Sequence, residues 1–253
     1  MIKQDDLPSV AGITRVRNES LIIADTIRHF LGYCDHIVMY DDCSTDDTVE
    51  IALDVGRDRI SLIAGDRWRE DRHGENTRHR KLAQESAEAL GADWCLCFDA
   101  DERLVGDLPP LDVGGITGYT FRLFDGYLTE ARRELYYPGD DLAELPRMWG
   151  PEYRDILMLF RPDRAAWSRA GLRQPFVRGV KRRAGVIVKH YGKCMSVEQW
   201  EEACDYYTKG FPPSFRQRWE ARRGKAIHTQ SDFGRPLFSW TELMGIPGEW
   251  VAI

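Results

Sequence analysis

Within its first hundred residues the chain alternates four short apolar runs with three helix-patterned ones, and few architectures accommodate that rhythm. Val10-Ala-Gly-Ile-Thr-Arg-Val16, His36-Ile-Val-Met-Tyr40, Arg59-Ile-Ser-Leu-Ile-Ala64 and Asp93-Trp-Cys-Leu-Cys-Phe98 have the length and composition of strands. Between them, Asn18-Glu-Ser20 opens a helix with the apolar stripe Ile22, Ile23, Ile27, Phe30 and Leu31, closed by Gly32. A second helix carries Val49, Ile51, Ala52 and Val55, and a third ends near Leu90-Gly91. The order βαβαβαβ predicts a parallel sheet wound by right-handed crossovers. Trp94 to Phe98 is apolar on both alternating faces, as in a strand covered by helices on both sides. The expected class is therefore α/β, with a central mixed, mostly parallel sheet flanked by helices.

The ends of these strands are acidic. Asp99, Asp101 and Glu102 follow the fourth strand at its C-terminal end, where ligands of open α/β sheets collect. Such acids suit Mg²⁺ or Mn²⁺ held by one or two carboxylates and completed by substrate phosphates. A polar turn capping the next segment is the other reading of an isolated Asp-x-Asp. After the second strand, Ser44 or Thr45 suits an N-cap, with Asp46 and Asp47 at the positive end of the helix dipole. Asp41 and Asp42 lie before that cap, and capping does not account for them. On the third helix Leu82, Ala83, Ser86, Ala87 and Leu90 share a face that also carries Arg78 and His79, whereas Arg80 and Lys81 point elsewhere. Arg78 suits a phosphate contact or a pairing with a loop acid.

At 253 residues the chain is one large domain or a domain with an appendage. Its 35 Lys and Arg against 41 Asp and Glu give a net charge of −6, which argues against nucleic acid as the general partner. The six cysteines lack the spacing of a disulfide scaffold or of zinc knuckles and read as reduced thiols, with Cys95 and Cys97 on one strand face as core. The N-terminus has no signal-peptide pattern and no stretch reaches membrane-spanning length, so a cytoplasmic location is expected.

Ile37-Val-Met-Tyr-Asp-Asp-Cys-Ser-Thr-Asp-Asp-Thr48 resembles the nucleotide-binding strand and turn of family 2 glycosyltransferases. Arg17-Asn-Glu19, the Arg-bearing third helix and Phe98-Asp-Ala-Asp101 resemble that family's other marks, in its order. The resemblance covers residues 8 to 104 well and continues more loosely to about 210. It implies a GT-A, Rossmann-like fold that binds a nucleoside diphosphate sugar with Mn²⁺ or Mg²⁺. Carried over, it assigns nucleoside contacts to Thr14 and to Asn18 or Glu19, and the base to Asp42. Arg78 becomes a nucleotide or diphosphate contact, with Arg72 as its competitor. Asp99 approaches the ribose or the metal, and Asp101 ligates the metal. Ile187-Val-Lys-His-Tyr-Gly192 resembles the strand end of some relatives whose His returns to the metal or diphosphate, which makes His190 a ligand candidate beside the purely structural role of a lone His.

The second half yields strands at Gly118 to Phe124 and Arg154 to Arg161, separated by an aromatic, acidic insert suited to shaping an acceptor pocket. Ser196-Val-Glu-Gln199 has capping-box form and opens a helix through Trp200, Ala203, Tyr206 and Tyr207, which Pro212-Pro213 breaks. Phe215 to Ile227 reads as a basic helix, either anion-seeking or a solvated face over Trp219. The expected organisation is a nucleotide-sugar half (1–104), an acceptor half of the same domain (105–193) and a C-terminal helical appendage with tail (194–253). Tyr119, Phe121, Tyr127, Tyr136, Tyr137, Trp149 and Trp167 suit stacking on rings or a core equally.

Transfer to an acceptor hydroxyl of a glycan, lipid-linked sugar or small molecule, with inversion, requires a base. Relatives with the His-Tyr-Gly strand often supply it from a His-Glu pair upstream, where this chain has Arg173-Gln174. Gln174 is no base, so either the base lies elsewhere or the stereochemistry is not the usual inversion; Asp140, Asp141, Glu152 and Asp155 are the candidates, with Asp155 first because it starts a strand beside the insert. Two other classes compete. Phe98-Asp-Ala-Asp-Glu with Gly139-Asp-Asp141 resembles motifs of haloacid-dehalogenase-type phosphatases, although their nucleophile strand comes first in the fold and Glu102-Arg103 departs from their pattern. A non-catalytic nucleotide-sugar-binding module would keep the donor site without a base.

Overall fold

The computed structural model describes residues 8–66, 72–133, 136, 139–167, 173–209, 211 and 213–253, with the backbone alone at 72 and 73. Along the chain run β1 (Val10–Val16), α1 (Ile23–Phe30), β2 (His36–Asp41), α2 (Thr48–Gly56), β3 (Ile60–Ala64), α3 (Arg72–Ala89) and β4 (Trp94–Phe98). There follow β5 (Glu102–Val105), β6 (Ile116–Tyr127), β7 (Met148–Phe160), β8 (Ala165–Ala166), β9 (Phe176–Val177) and β10 (Val180–His190). The last part holds α4 (Val197–Thr208), α5 (Pro213–Glu220), β11 (Phe238–Ser239), α6 (Trp240–Gly245) and β12 (Val251–Ala252). Among the described residues no helix is long and apolar enough to cross a membrane. The chain divides into two compact units, one of Met1–Ala100, Gly106–Phe121 and Ile156–Val186, the other of Asp101–Val105, Arg122–Asp155 and Ile187–Ile253.

In the first unit the βαβαβαβ order becomes a parallel sheet with strands β3-β2-β1-β4, flanked by helices, as the class expectation required. One face of the sheet buries Ala11, Ile13, Val38, Cys95 and Cys97 against Ala83 and Ala87 of α3. On the other, the rings of Phe30 and Phe98 stack with centroids 3.6 Å apart. That packing needs Gly12, where a Cβ would lie 2.9 Å from the Phe98 ring. Full burial of a side chain of this size stabilises by about 1.5–3 kcal/mol, so the stacked pair anchors α1 to β4.

Two local readings change. The buried face of α3 carries His79, Arg80, Ala83, Gln84 and Ala87, while Leu90 is exposed, so Arg80 points inward. Helix α2 begins at Thr48, and its first turn is held by Asp46, which accepts from the Thr48 amide, in place of a Ser44 or Thr45 cap.

In the second unit β5 pairs antiparallel with the end of β10, placing His190 beside Glu102 and Val188 beside Leu104. Glu102 is thereby drawn into a strand and fully buried, which removes it from the acids of the strand-end turn. The tail is ordered by β7, to which β11 pairs antiparallel and β12 parallel. Ser196 caps α4 by accepting from the Gln199 amide, and the helix buries Trp200 and Cys204. Pro213 is the first residue of α5, a position where the missing N–H costs nothing. The basic helix ends at Glu220, with Trp219 buried beneath it and stacked on Tyr207 at 4.4 Å. Pro212 and Tyr137 lie outside the described residues.

Candidate active site

The first unit gathers its polar groups at the C-terminal ends of β1 and β2 and the first turns of α3. Asp42 is fully buried, with Arg15 on its carboxylate and Arg17 donating to its backbone oxygen at 2.6 Å. His79, also fully buried, lies on the Tyr40 ring at 3.9 Å. Burial pushes its pKa down to about 4, although Asp42 pulls the other way. The neutral ring accepts from Arg15 Nε at Nδ1, so Nε2 carries the proton and donates to Glu75 at 2.9 Å. Glu75 also receives Arg78, which reaches Asp66 at 3.0 Å as well. Asp42, His79, Glu75 and Arg78 thus form one chain of contacts, and neither Asp42 nor Arg78 stands as an unpaired charge.

The remaining nucleoside candidates surround this chain. Thr14 is buried, and its Oγ1 has no hydrogen-bond partner among the described residues. Asn18 adopts φ 54°, a left-handed conformation that Asn tolerates, and its Oδ1 accepts from the Thr45 amide at 2.8 Å. The Glu19 amide donates to Thr48 Oγ1 at 2.7 Å. Arg72 opens α3, but its side chain lies outside the described residues. Asp99, at the end of β4, is held by the buried Arg80 and by Arg173 at 3.4 Å. Two guanidiniums on one carboxylate compensate its charge.

The second unit builds a different cluster. Asp101 Oδ2 lies 3.4 Å from His190 Nε2, at the end of β10. His190 Nδ1 meets Asp125 at 2.6 Å. Asp125 also accepts both terminal nitrogens of Arg154, at 3.0 and 3.1 Å, and Lys193 Nζ at 2.9 Å. Burial alone would raise the Asp125 pKa, but Lys193, His190 and Arg154 hold it well below the usual carboxylate range. For His190 burial opposes protonation, yet Asp101 and Asp125 carry its pKa up to about 10. Lys193 continues to Asp232, which also takes Arg222.

Once Nε2 of His190 gives up its proton, Asp101 and His190 offer hard and borderline donors to a small divalent cation. A Cβ on Gly192 would fall 2.5 Å from Asp101 Oδ2 and 2.9 Å from His190 Nε2, so the absence of a side chain there keeps a cradle beside both atoms. The cradle fits Mn²⁺ or Mg²⁺ completed by phosphate oxygens and water. Among the described residues no group of three His, Cys, Asp or Glu converges as a ready-made cage. Asp125, Arg154 and Lys193 were not singled out in the sequence, where the only signal is a carboxylate closing an apolar strand at Phe124-Asp-Gly.

The base candidates separate by environment. Asp155 is exposed on β7, 3.9 Å from Arg122 Nε. Glu152 is buried, accepting from Ser231 at one oxygen and carrying the other without a partner among the described residues. Asp141 caps a short turn by accepting from the Ala143 amide. Gln174 accepts from the Leu157 amide at 2.6 Å.

Residues 13–110 match the model of glycosyl transferase family 2. By that match, the stretch 13–110 is similar to family 2 glycosyltransferases. The match runs from within β1 past β5 and stops short of the rest. No curated protein matches the chain. Among solved structures it is similar to glucosyl-3-phosphoglycerate synthase from Mycobacterium tuberculosis, a complex with Mn²⁺, uridine diphosphate and glucosyl-3-phosphoglycerate. That pair is 18% identical over 51% of this chain and 47% of the synthase, about half its length, with a TM-score of 0.29. A glycosyltransferase involved in glycosylation of the major capsid of PBCV-1 is 14% identical, over 62% and 61% of the two chains, with a TM-score of 0.30. The 4-diphosphocytidyl-2C-methyl-D-erythritol synthase of Anaerococcus prevotii is 8% identical over 95% of each chain, with a TM-score of 0.32. Likeness of this degree assigns no residue of this chain a role.

Proposed function

We propose that the chain transfers a sugar from a nucleoside diphosphate sugar to an acceptor hydroxyl, with inversion and with Mn²⁺ or Mg²⁺ as cofactor. The observation that carries this reading is the meeting of Asp101 Oδ2 and His190 Nε2 in the cradle left open by Gly192. These two residues would hold the cation, which when bound would neutralise charge growing on the departing diphosphate. Around them Arg154, Lys193 and Arg222 outnumber Asp125 and Asp232, a surplus of positive charge suited to phosphate.

In the first unit Thr14, Asn18, Glu19 and Asp42 are our nucleoside contacts, Arg78 and Arg72 our candidates for the diphosphate, and Asp99 our ribose contact. Arg78 would have to exchange Asp66 or Glu75 for the ligand, so it acts after the nucleotide arrives. Asp155 is the proposed base because it is exposed on β7, whereas Glu152 is buried and Asp141, also exposed, caps a turn. It would take the proton of the acceptor hydroxyl as that oxygen bonds to the anomeric carbon, and the diphosphate would leave with the electrons of the broken carbon–oxygen bond. The acceptor is a glycan, a lipid-linked sugar or a small molecule. Six free cysteines, five of them buried, suit a reducing compartment, and we place the protein in the cytoplasm.

Calorimetry with UDP, GDP and dTDP, each with Mn²⁺ and again with chelator, tests the donor site. One nucleotide should bind only with metal, and Asp101→Ala should abolish that binding. Failure of all three with the unaltered protein overturns the reading, and hydrolysis of a simple phosphate ester would redirect it toward a phosphatase.

A further inference from the structure

Asp125 lies on β6, 65 positions before its partner His190, and no motif marks it. Each of its oxygens takes two donors. Oδ1 receives His190 Nδ1 at 2.6 Å and Arg154 Nη2 at 3.1 Å, while Oδ2 receives Arg154 Nη1 at 3.0 Å and Lys193 Nζ at 2.9 Å. A carboxylate so surrounded is ionised and can only accept, so His190 Nδ1 must carry a proton. With Nδ1 fixed, the ring plane and the direction of Nε2 are fixed as well.

The contacts are not equally replaceable. Lys193 has a second carboxylate in Asp232 at 2.9 Å, and Arg154 is more than a third exposed and can turn to water. His190 has one carboxylate behind its ring and one before it, and among the described residues Asp125 alone receives Nδ1. Loss of Asp125 therefore bears hardest on the imidazole.

We propose that Asp125 is a positioning residue that locks the His190 ring and keeps its proton on Nδ1, so that Nε2 is presented to the cradle beside Asp101 and Gly192. The proposal rests on the donor-site reading above and adds the residue that aims its histidine. A group behind a metal-facing or phosphate-facing imidazole sets its orientation, and removal of such partners typically weakens binding about 10–100-fold.

The test uses the full chain with selectively ¹⁵N-labelled histidine and compares it with Asp125→Ala and Asp125→Asn. In the unaltered protein the His190 Nδ1 signal should be that of a protonated, strongly hydrogen-bonded nitrogen, with or without Mg²⁺ and nucleoside diphosphate. Asp125→Ala should lose that signature and about 10–100-fold of the metal-dependent nucleotide affinity. Asp125→Asn keeps an acceptor and should recover part of both, whereas a merely structural role would make affinity follow melting temperature. An unprotonated His190 Nδ1 in the unaltered protein overturns the proposal even where Asp125→Ala fails to fold. Retained affinity in Asp125→Ala, with Asp101→Ala binding lost, overturns it too. Absence of nucleotide binding in the unaltered protein strikes the donor reading instead, and the ring signature then decides alone whether Asp125 fixes His190.

Discussion

Gly192 stands against Asp101 so closely that a Cβ on it would lie 2.5 Å from the carboxylate oxygen Oδ2. The glycine is in a conformation open to other residues, because it is absent from the positive-φ set, so what it supplies is space rather than backbone freedom. Gly192→Ala should leave the fold intact, since the end of the Asp101 side chain can swing away. The same swing should weaken metal-dependent nucleotide binding by at least about tenfold, about 1.4 kcal/mol. Calorimetry beside a melting curve checks both halves, and unchanged affinity would mean that the cradle is not used.

Asp99 and Asp101, the two acids of one motif, should differ in what they do for stability. Asp99 compensates Arg80, whose side chain is 4% exposed, and removal of one member of such a pair strands a buried charge. Asp99→Asn should therefore cost about 2–3 kcal/mol. Asp101 is half-exposed and faces His190, and Asp101→Asn should cost less than about 1 kcal/mol. Denaturant unfolding of the two variants measures the difference. Equal stabilities would show that Arg80 finds another partner or water.

The four parallel strands were readable because strands buried on both faces leave unbroken apolar runs, and Trp94 to Phe98 is the clearest case. The inward turn of Arg80 was not, because hydropathy follows Leu82 and Leu90, while α3 faces the sheet with the small Ala83 and Ala87 and the polar His79 and Gln84. Strand β5 was hidden for a related reason, since Glu102 and Arg103 read as surface and are fully buried. The Asp101 and His190 motifs could be seen singly. Asp125, which joins them to Arg154 and Lys193, depends on pairings across 29, 65 and 68 positions that no local pattern encodes.

The base assignment separates by kinetics. Asp155→Asn should lower kcat by about 10²–10⁴-fold, the usual share of a general base, with donor affinity unchanged. Asp141→Ala should remove a turn cap, worth about 1 kcal/mol of stability, and leave kcat within about twofold. Glu152→Gln is the decisive alternative. If that change abolishes turnover and Asp155→Asn does not, the buried carboxylate with the unpaired oxygen is the base.

His79 should make stability fall in mild acid. Its folded-state pKa is lowered by burial to about 4, and in the unfolded chain it returns to an ordinary value near 6.5. Between those values the unfolded chain binds more protons, so stability rises with pH through that window. The contribution is fully present above about pH 6.5 and is lost as pH falls through 4, with a total on the order of 3 kcal/mol. Carboxylates titrate in the same range, so the comparison must be with His79→Gln, which keeps a neutral donor near Glu75 and has no proton to gain. The unfolding free energy of the unaltered protein should drop more steeply between pH 6.5 and 4 than that of the variant. Parallel curves would show that Asp42 and Glu75 protonate His79 within the fold, and that the ring on Tyr40 is a cation.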